Sequence, residues 1–321
     1  MKTLPLVLRA PEPGTPLADW VVGAWPEVRA LLDVHGAVLF RDFAVADVAD
    51  FRRVVVNATP DLLDYTEPST PRSTVSERVF TSTEYPADQR IRLHNEMSYR
   101  RTWPCHLWLW SRIAAPVGGQ TSLADYRAVL ARLSAGTREA FTTRGVTYER
   151  RYNTGFDLTW QHVFKTDDRA AVEAQLDADG VEHRWLDGGV LHTRQTVQGV
   201  LEHPRTGVPA WFNQANLFHP SGLDPDVRAG LEAALGEDGM PRMATFGDGS
   251  PIPAETLREV RAAIDAETVL PDWRGGDVAV VDNLAVAHGR EPFSGSREVY
   301  VTMATPMRSA FAAPVTGGHR G

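Results

Sequence analysis

The stretch IRLHNEMSY, residues 91–99, decides how this chain is read. Apolar and polar residues alternate along it, as in a half-buried β-strand. Residues two apart in a strand face the same side. His94 and Glu96 therefore project together, and Asn95 turns away. An imidazole nitrogen beside a carboxylate is a hook for a divalent metal. Two ligands are too few to hold a reactive ion, and a His-x-Glu pair alone arises by chance in many proteins. A third donor has to come from elsewhere in the fold.

Moving outward, the strongest third donor is His288. It closes the apolar run VAVVDNLAVAH (278–288) and precedes Gly289. Two histidines and one carboxylate occupy one face of an octahedron and leave three positions open, the facial arrangement of mononuclear non-haem iron sites. Three open positions suit a bidentate 2-oxo acid together with O2. The chain has 10 histidines. The others lack a same-face carboxylate in so apolar a setting and read as structural or surface residues.

The surrounding segments give a β-rich α+β pattern. Residues 17–34 have helical periodicity and stop near His35-Gly36. AVLFRDF (37–43) reads as a strand, 44–57 as a second helix, and the polar 60–90 as a long loop. A strand over 91–99 is followed by another over 102–114, a turn and short strand over 115–125, and a helix over 125–143. Residues 150–205 mix a helix (167–177) with short strands and read as an insertion. Strand-like patterning returns in GVPAWFNQ (207–214), GDVAVVDNLAVAHGR (276–290) and REVYVTMAT (297–305). PVTGGHRG (314–321) reads as a loose tail. Gly118-Gly119 is a turn signal and not a phosphate cradle. The whole is expected to be one domain over 1–321.

Composition narrows the function. The chain has 321 residues, 43% hydrophobic and 23% charged, ordinary for a globular protein. No apolar run approaches the ~18 residues that span a bilayer, so no membrane association is expected. The opening MKTLPLVLRAPEPG is broken by Pro5, Arg9 and Pro11 and does not read as a signal peptide, which points to the cytoplasm. One cysteine, Cys105, excludes an internal disulfide and reads as a small strand residue. A net charge of −8 argues against a nucleic-acid partner.

HNEMSY (94–99), APVGGQTSLAD (115–125), WFNQANLFH (211–219) and DNLAVAHGREPFSGSREVYVTM (282–303) together resemble the taurine dioxygenase (TauD/TfdA) superfamily. They resemble most its SyrP-like branch from peptide natural-product pathways. The resemblance runs from about residue 36 to 305. It implies a double-stranded β-helix, or jelly-roll, core with flanking helices and an inserted lid region. It also implies Fe(II) held by His94, Glu96 and His288, with 2-oxoglutarate and O2 as cosubstrates. Many members carry Asp where this chain has Glu96, and the His-x-Glu form also occurs. Thr121 matches a threonine that touches 2-oxoglutarate, and Arg297 matches the arginine that pairs with its distal carboxylate.

The chemistry of Arg297 agrees with that match. A small dicarboxylate needs one end chelated and the other clamped, and a guanidinium offers a carboxylate two parallel donors. Arg297 follows His288 across an SGS turn and is expected on the neighbouring strand. Arg290, two residues from His288, is the competitor and is expected in the turn. For substrate, Tyr99, Arg100 and Arg101 follow the metal hook closely, and Asn213 and Gln214 sit in a strand-like WFNQ.

The resemblance further implies hydroxylation of a C–H bond in an amino acid or small peptide, free or tethered to a carrier protein, in antibiotic-like biosynthesis. The segments 60–90 and 150–205 are the expected lids. Desaturation and cyclisation start from the same hydrogen abstraction. A non-catalytic jelly-roll binding module and a zinc hydrolase with the same ligands are the readings from other classes.

Overall fold

The computed structural model describes residues 3–64, 74–82, 85–236 and 239–311. Its centre is a pair of packed sheets. The larger has seven strands in the order Leu6–Arg9, Ala37–Arg41, Val278–Asp282, Thr102–Ile113, Glu298–Arg308, Val79–Thr81, Thr74–Ser76. The smaller has four, in the order Thr268–Val269, Leu123–Asp125, Val286–Arg290, Ile91–His94. Leu107, Leu109, Val301 and Met303 of the first sheet share one buried cluster with Leu123 and Val286 of the second. Together the sheets form the double-stranded β-helix that the motifs imply.

Central strands buried on both faces should be apolar throughout. Ala37–Arg41 and Val278–Asp282 are buried at every residue. Helix Leu17–His35 covers the outer face of the larger sheet, burying Leu17, Val21, Val28 and Leu32 against Val38, Phe40, Trp108 and Val280. Each such side chain, fully buried, contributes roughly 1.5–3 kcal/mol. The helix stops at Gly36, whose left-handed φ of 79° lets its N–H reach the carbonyl of Leu32 at 2.7 Å. A Cβ there would lie 2.4 Å from Cγ2 of Val286, so glycine also lets the helix end close upon the strand that carries His288.

A second four-stranded sheet runs Glu182–Trp185, Leu191–Val197, Val146–Tyr152, Arg242–Phe246. It joins strands and helices of the 150–205 segment (helices Trp160–Phe164 and Arg169–Asp179) to a later strand. Among the described residues, no helix is long and apolar enough to cross a membrane.

Several elements differ from expectation. The strand expected over 91–99 ends at His94, because its partner Val286–Arg290 pairs only with 91–94. Asn95–Arg100 turns instead, with Met97 at φ 58° and the Arg100 N–H donating to Met97 O at 2.9 Å. The helix expected over 125–143 is two, Tyr126–Arg132 and Ala135–Arg144. Ser134 begins the second, its hydroxyl accepting from the N–H of Thr137. The second helix starts at Val48 and not 44, because Asp47 accepts the N–H of Asp50 at 2.8 Å. The expected loop 60–90 contains the short hairpin of Thr74–Ser76 and Val79–Thr81. Part of that loop, and the tail at 314–321, lie outside the described residues.

Candidate metal centre and its pocket

His94 closes its strand directly opposite His288 in the antiparallel register. Their ring centroids are 4.4 Å apart. His288 Nε2 lies 3.8 Å from Glu96 Oε2. One ligand atom from each of the three residues falls within 4.8 Å of the others. Cis donors at about 2 Å from a common ion stand roughly 3 Å apart, so the three side chains would close inward by about 1–2 Å around one. Nδ1 of His94 is 2.9 Å from the carbonyl of Arg92. Donation there leaves Nε2 as the lone-pair donor, the usual arrangement of a metal-binding imidazole. Glu96 and His288 are buried and His94 is partly so.

Glu96 reaches this position from a turn, so something other than strand pleating must hold it. Asn283 does so. Its Oδ1 accepts the Glu96 N–H at 2.7 Å, and its Nδ2 donates to the carbonyls of Glu96 and Pro104 at 3.0 and 2.8 Å. Asn95 donates back to the Asn283 carbonyl at 2.6 Å, and Gln214 donates to the Asn95 carbonyl at 2.8 Å. Asn283 is fully buried. It stands in the turn that launches the His288 strand, so one turn places two of the three donors. Neighbouring Asp282 shapes that turn by accepting the Leu284 N–H at 3.0 Å, and pairs with His203 Nε2 at 3.0 Å. Sequence reading missed Asn283. Its signal was a polar Asp-Asn pair inside an otherwise apolar run.

A pocket runs from His94 and His288 to Arg297, with Thr121, Ser82 and Leu109 on its walls. Arg297 is placed differently from expectation. It precedes strand Glu298–Arg308, which belongs to the seven-stranded sheet and is not the neighbour of the His288 strand. Packing of one sheet on the other brings the two residues to the same pocket. Arg297 donates to Gly119 O at 2.8 Å, Ser82 Oγ at 3.2 Å and Thr121 Oγ1 at 3.4 Å. A Cβ on Gly119 would press to 3.1 Å from Arg297 Cδ. Burial, with Arg290 nearby, pulls the guanidinium down to about 10, so it stays a cation at neutral pH. Among the described residues no carboxylate pairs with it. A part-buried cation without a counter-ion is costly, and a dicarboxylate chelated at the triad would supply one.

Arg290 is not in a turn but within strand Val286–Arg290. Its guanidinium donates to the carbonyls of Tyr85, Pro86 and Gln89 at 3.0, 2.6 and 2.8 Å. Those donors are spent on holding a loop.

On the other side of His94 opens a cleft of about 680 Å³, within the range of small-molecule sites. Phe156, Leu217, Phe218 and Met240 form its apolar wall, with Arg92 and Arg242 among its polar residues. Tyr99, Arg100, Arg101 and Asn213 are not among the residues lining it. Tyr99 packs in the core against Phe218 and Tyr148. Arg100 pairs with Asp179 at 2.6 Å. The Arg101 guanidinium lies beside Gly180, and its carbonyl accepts from Ser309 N–H. Asn213 donates to Gly199 O at 2.6 Å and accepts from Ala215 N–H at 3.0 Å. Of the two residues in WFNQ, Gln214 is the one that lines the cleft.

The fold and site define a mononuclear non-haem iron dioxygenase dependent on Fe(II), 2-oxoglutarate and O2. The model of the taurine catabolism dioxygenase TauD, TfdA family matches residues 3–303, and the chain belongs to that family. Among relatives, the dapdiamide synthesis protein DdaC of Enterobacter agglomerans is 37% identical over 86% of this chain and 84% of its own. A clavaminate synthase-like protein of Arabidopsis thaliana is 31% identical over 85% of this chain and 83% of its own. Among solved structures, PvcB, known from Pseudomonas aeruginosa, is an Fe, alpha-ketoglutarate dependent oxygenase from an isonitrile synthetic pathway. It has a TM-score of 0.56 at 16% identity and covers 96% of this chain and 90% of its own. At that identity it speaks for the fold.

Proposed function

We propose that His94, Glu96 and His288 hold the Fe(II), that Thr121 and Arg297 bind the distal carboxylate of 2-oxoglutarate, and that the enzyme hydroxylates a C–H bond of an amino-acid-like small molecule in natural-product biosynthesis. One observation carries this reading: a cluster of three possible metal donors, two of which line the pocket, shares that pocket with a part-buried guanidinium that has no carboxylate partner among the described residues. A binding module needs neither end, and a zinc hydrolase does not need the arginine. Bound Fe(II) supplies the coupling of O2 reduction and 2-oxoglutarate decarboxylation to oxidation of an unactivated C–H bond.

The side chains do the rest. The facial placement of the donors leaves three positions for cosubstrates. Arg297 and Thr121 orient 2-oxoglutarate by its far end. Arg290, by tying down Tyr85–Gln89, walls the pocket from water. Glu96 fills the position that a halide would need and offsets one unit of the metal's charge, which favours oxygen insertion over chlorination. The names of the DdaC and clavaminate synthase-like relatives support an amino-acid-derived natural-product substrate; that it is free or held by a carrier protein is part of the proposal. A cytoplasmic setting belongs to the proposal, consistent with a single cysteine.

The test is succinate release in air, with and without Fe(II), over a panel of amino acids and their acyl derivatives, followed by mass analysis under ¹⁸O2 with chloride present. Iron-dependent succinate and a product heavier by one labelled oxygen are expected. A chlorinated product would overturn the role given to Glu96, and a product lighter by two hydrogens would replace hydroxylation by desaturation or cyclisation.

A further inference from the structure

The charges around the substrate cleft do not balance. Asp157, the carboxylate that lines the cleft, is held bidentately by Arg242 at 2.6 and 2.8 Å. Arg90 on the rim is matched by Glu291 at 2.7 Å. Arg92 is different. It lines the cleft two residues before His94, and its Nη1 donates only to the carbonyl of Gly222, at 2.8 Å. Behind it, from helix Ala254–Glu267, stands Arg261, whose Nη1 reaches Ser221 Oγ at 3.5 Å. Among the described residues neither arginine has a carboxylate within ion-pair distance. They act on each other as like charges, and Arg261 is pulled down by burial, by Arg92 and by Arg258, with Asp265 opposing. Two guanidiniums flanking the Pro220–Gly222 turn, beside a cleft whose other charges are matched, form a site for one anion.

The same accounting speaks to the substrate's nitrogen. An ammonium in this cleft would need a carboxylate, and among the described residues Asp157 and Glu291 are both taken. Glu96 belongs to the proposed metal site. An amide nitrogen needs none. The apolar wall of Phe156, Leu217, Phe218 and Met240 suits the acyl part of such a molecule.

We propose that Arg92, backed by Arg261, anchors an anionic group of the substrate, and that the substrate's nitrogen enters uncharged, as an amide. This rests on the reading of an amino-acid-derived substrate and narrows it to N-acylated compounds bearing an anion. Along the strand the backbone positions of Arg92 and His94 are about 6–7 Å apart, and both residues line the same cleft. A free carboxylate and the phosphodiester of a carrier protein's prosthetic arm share this chemistry.

The experiment is an NMR titration of the metal-free protein, following the side-chain Nε–H signals of Arg92 and Arg261. The probes are N-acetylglycine, N-acetylglycinamide, glycine and dimethyl phosphate. N-acetylglycine should shift both signals saturably, and the amide should not. Glycine should bind at least about tenfold more weakly than N-acetylglycine. Tighter binding of dimethyl phosphate than of N-acetylglycine assigns the anchor to a carrier arm, and the reverse order assigns it to a substrate carboxylate. In Arg92→Gln the response of Arg261 to N-acetylglycine should weaken roughly ten- to hundredfold, the loss expected for a charge-assisted bond. Arg261→Gln, read at Arg92, is the second variant should the first not fold. Arg53→Gln, on the outward side of helix Val48–Ala58, is the control and should bind like the unmodified protein. Equal shifts from acid and amide, or undiminished binding in both cleft variants, would refute the anchor. Glycine binding as tightly as N-acetylglycine would refute the uncharged nitrogen. Iron-dependent succinate release, measured on the same preparation, tests the oxygenase reading separately.

Discussion

The pocket proposed for the cosubstrate and the cleft proposed for the substrate meet at His94, yet they are built by different means. The pocket is made of strands. His94 and His288 face each other in register, Arg297 enters at the head of a strand from the opposite sheet, and among the described residues its cation is left without a carboxylate. The cleft is made of loops and short helices drawn from 85–92, 155–158, 214–231 and 240–242, and most of its charges cancel in pairs. A site for an invariant small dicarboxylate can be rigid and carry one exposed demand. A site that determines which molecule is oxidised is assembled from the segments most easily exchanged.

Substitutions on the two sides should therefore separate cleanly. The largest effect belongs to the metal. His94→Ala or His288→Ala should abolish iron-dependent turnover while the circular dichroism melt stays cooperative, since each removes one donor of three. Activity retained in either variant would break the triad. Next is the clamp. Arg297→Lys should raise the KM for 2-oxoglutarate roughly ten- to hundredfold, and Arg290→Lys should raise it far less. The opposite ranking in steady-state kinetics would exchange their roles.

A smaller but more specific effect is expected from Asn283→Ala. Partners that orient metal ligands typically carry about 10–100-fold in metal affinity. The weakened Fe(II) binding should appear in the visible charge-transfer absorption of the iron–2-oxoglutarate complex, with the KM for 2-oxoglutarate little changed at saturating iron. An unaltered Fe(II) titration would show that the turn at 95–100 holds Glu96 without help. The smallest change concerns the cleft. Asp157→Asn weakens the bidentate pair with Arg242 and should alter the KM for the organic substrate severalfold, while that for 2-oxoglutarate stays within about twofold. Equal changes in both would mean that the two regions do not act separately.

How much of this was legible in the sequence follows the same division. The proposed triad could be drawn from sequence because His94 and His288 sit in locally patterned segments, although Glu96 arrives by a turn and not by strand alternation. Arg297 was recognisable by its chemistry and its match to the family. Its strand was assigned to the wrong sheet, since hydrophobic alternation says which face is buried and not which strand lies alongside. Tyr99, Arg100 and Arg101 misled by proximity. After the left-handed Met97 the chain turns away from the cleft, and adjacency to a ligand loses its meaning. Asn283 and Arg92 were hidden for another reason. Asn283 acts on a backbone 187 residues away, and an exposed arginine becomes notable only when its neighbours' partners are known.

Arg290 lines the cosubstrate pocket, and the three carbonyls it holds belong to the segment that presents Tyr85 to the substrate cleft. One side chain is thus a party wall between two rooms. Any adjustment it makes as 2-oxoglutarate settles beside it is transmitted to the shape offered to the second reactant. Linkage makes that influence mutual in binding, each reactant altering the affinity of the other by the same factor. Coupling between the two reactants is then a property of the architecture and not of the iron alone.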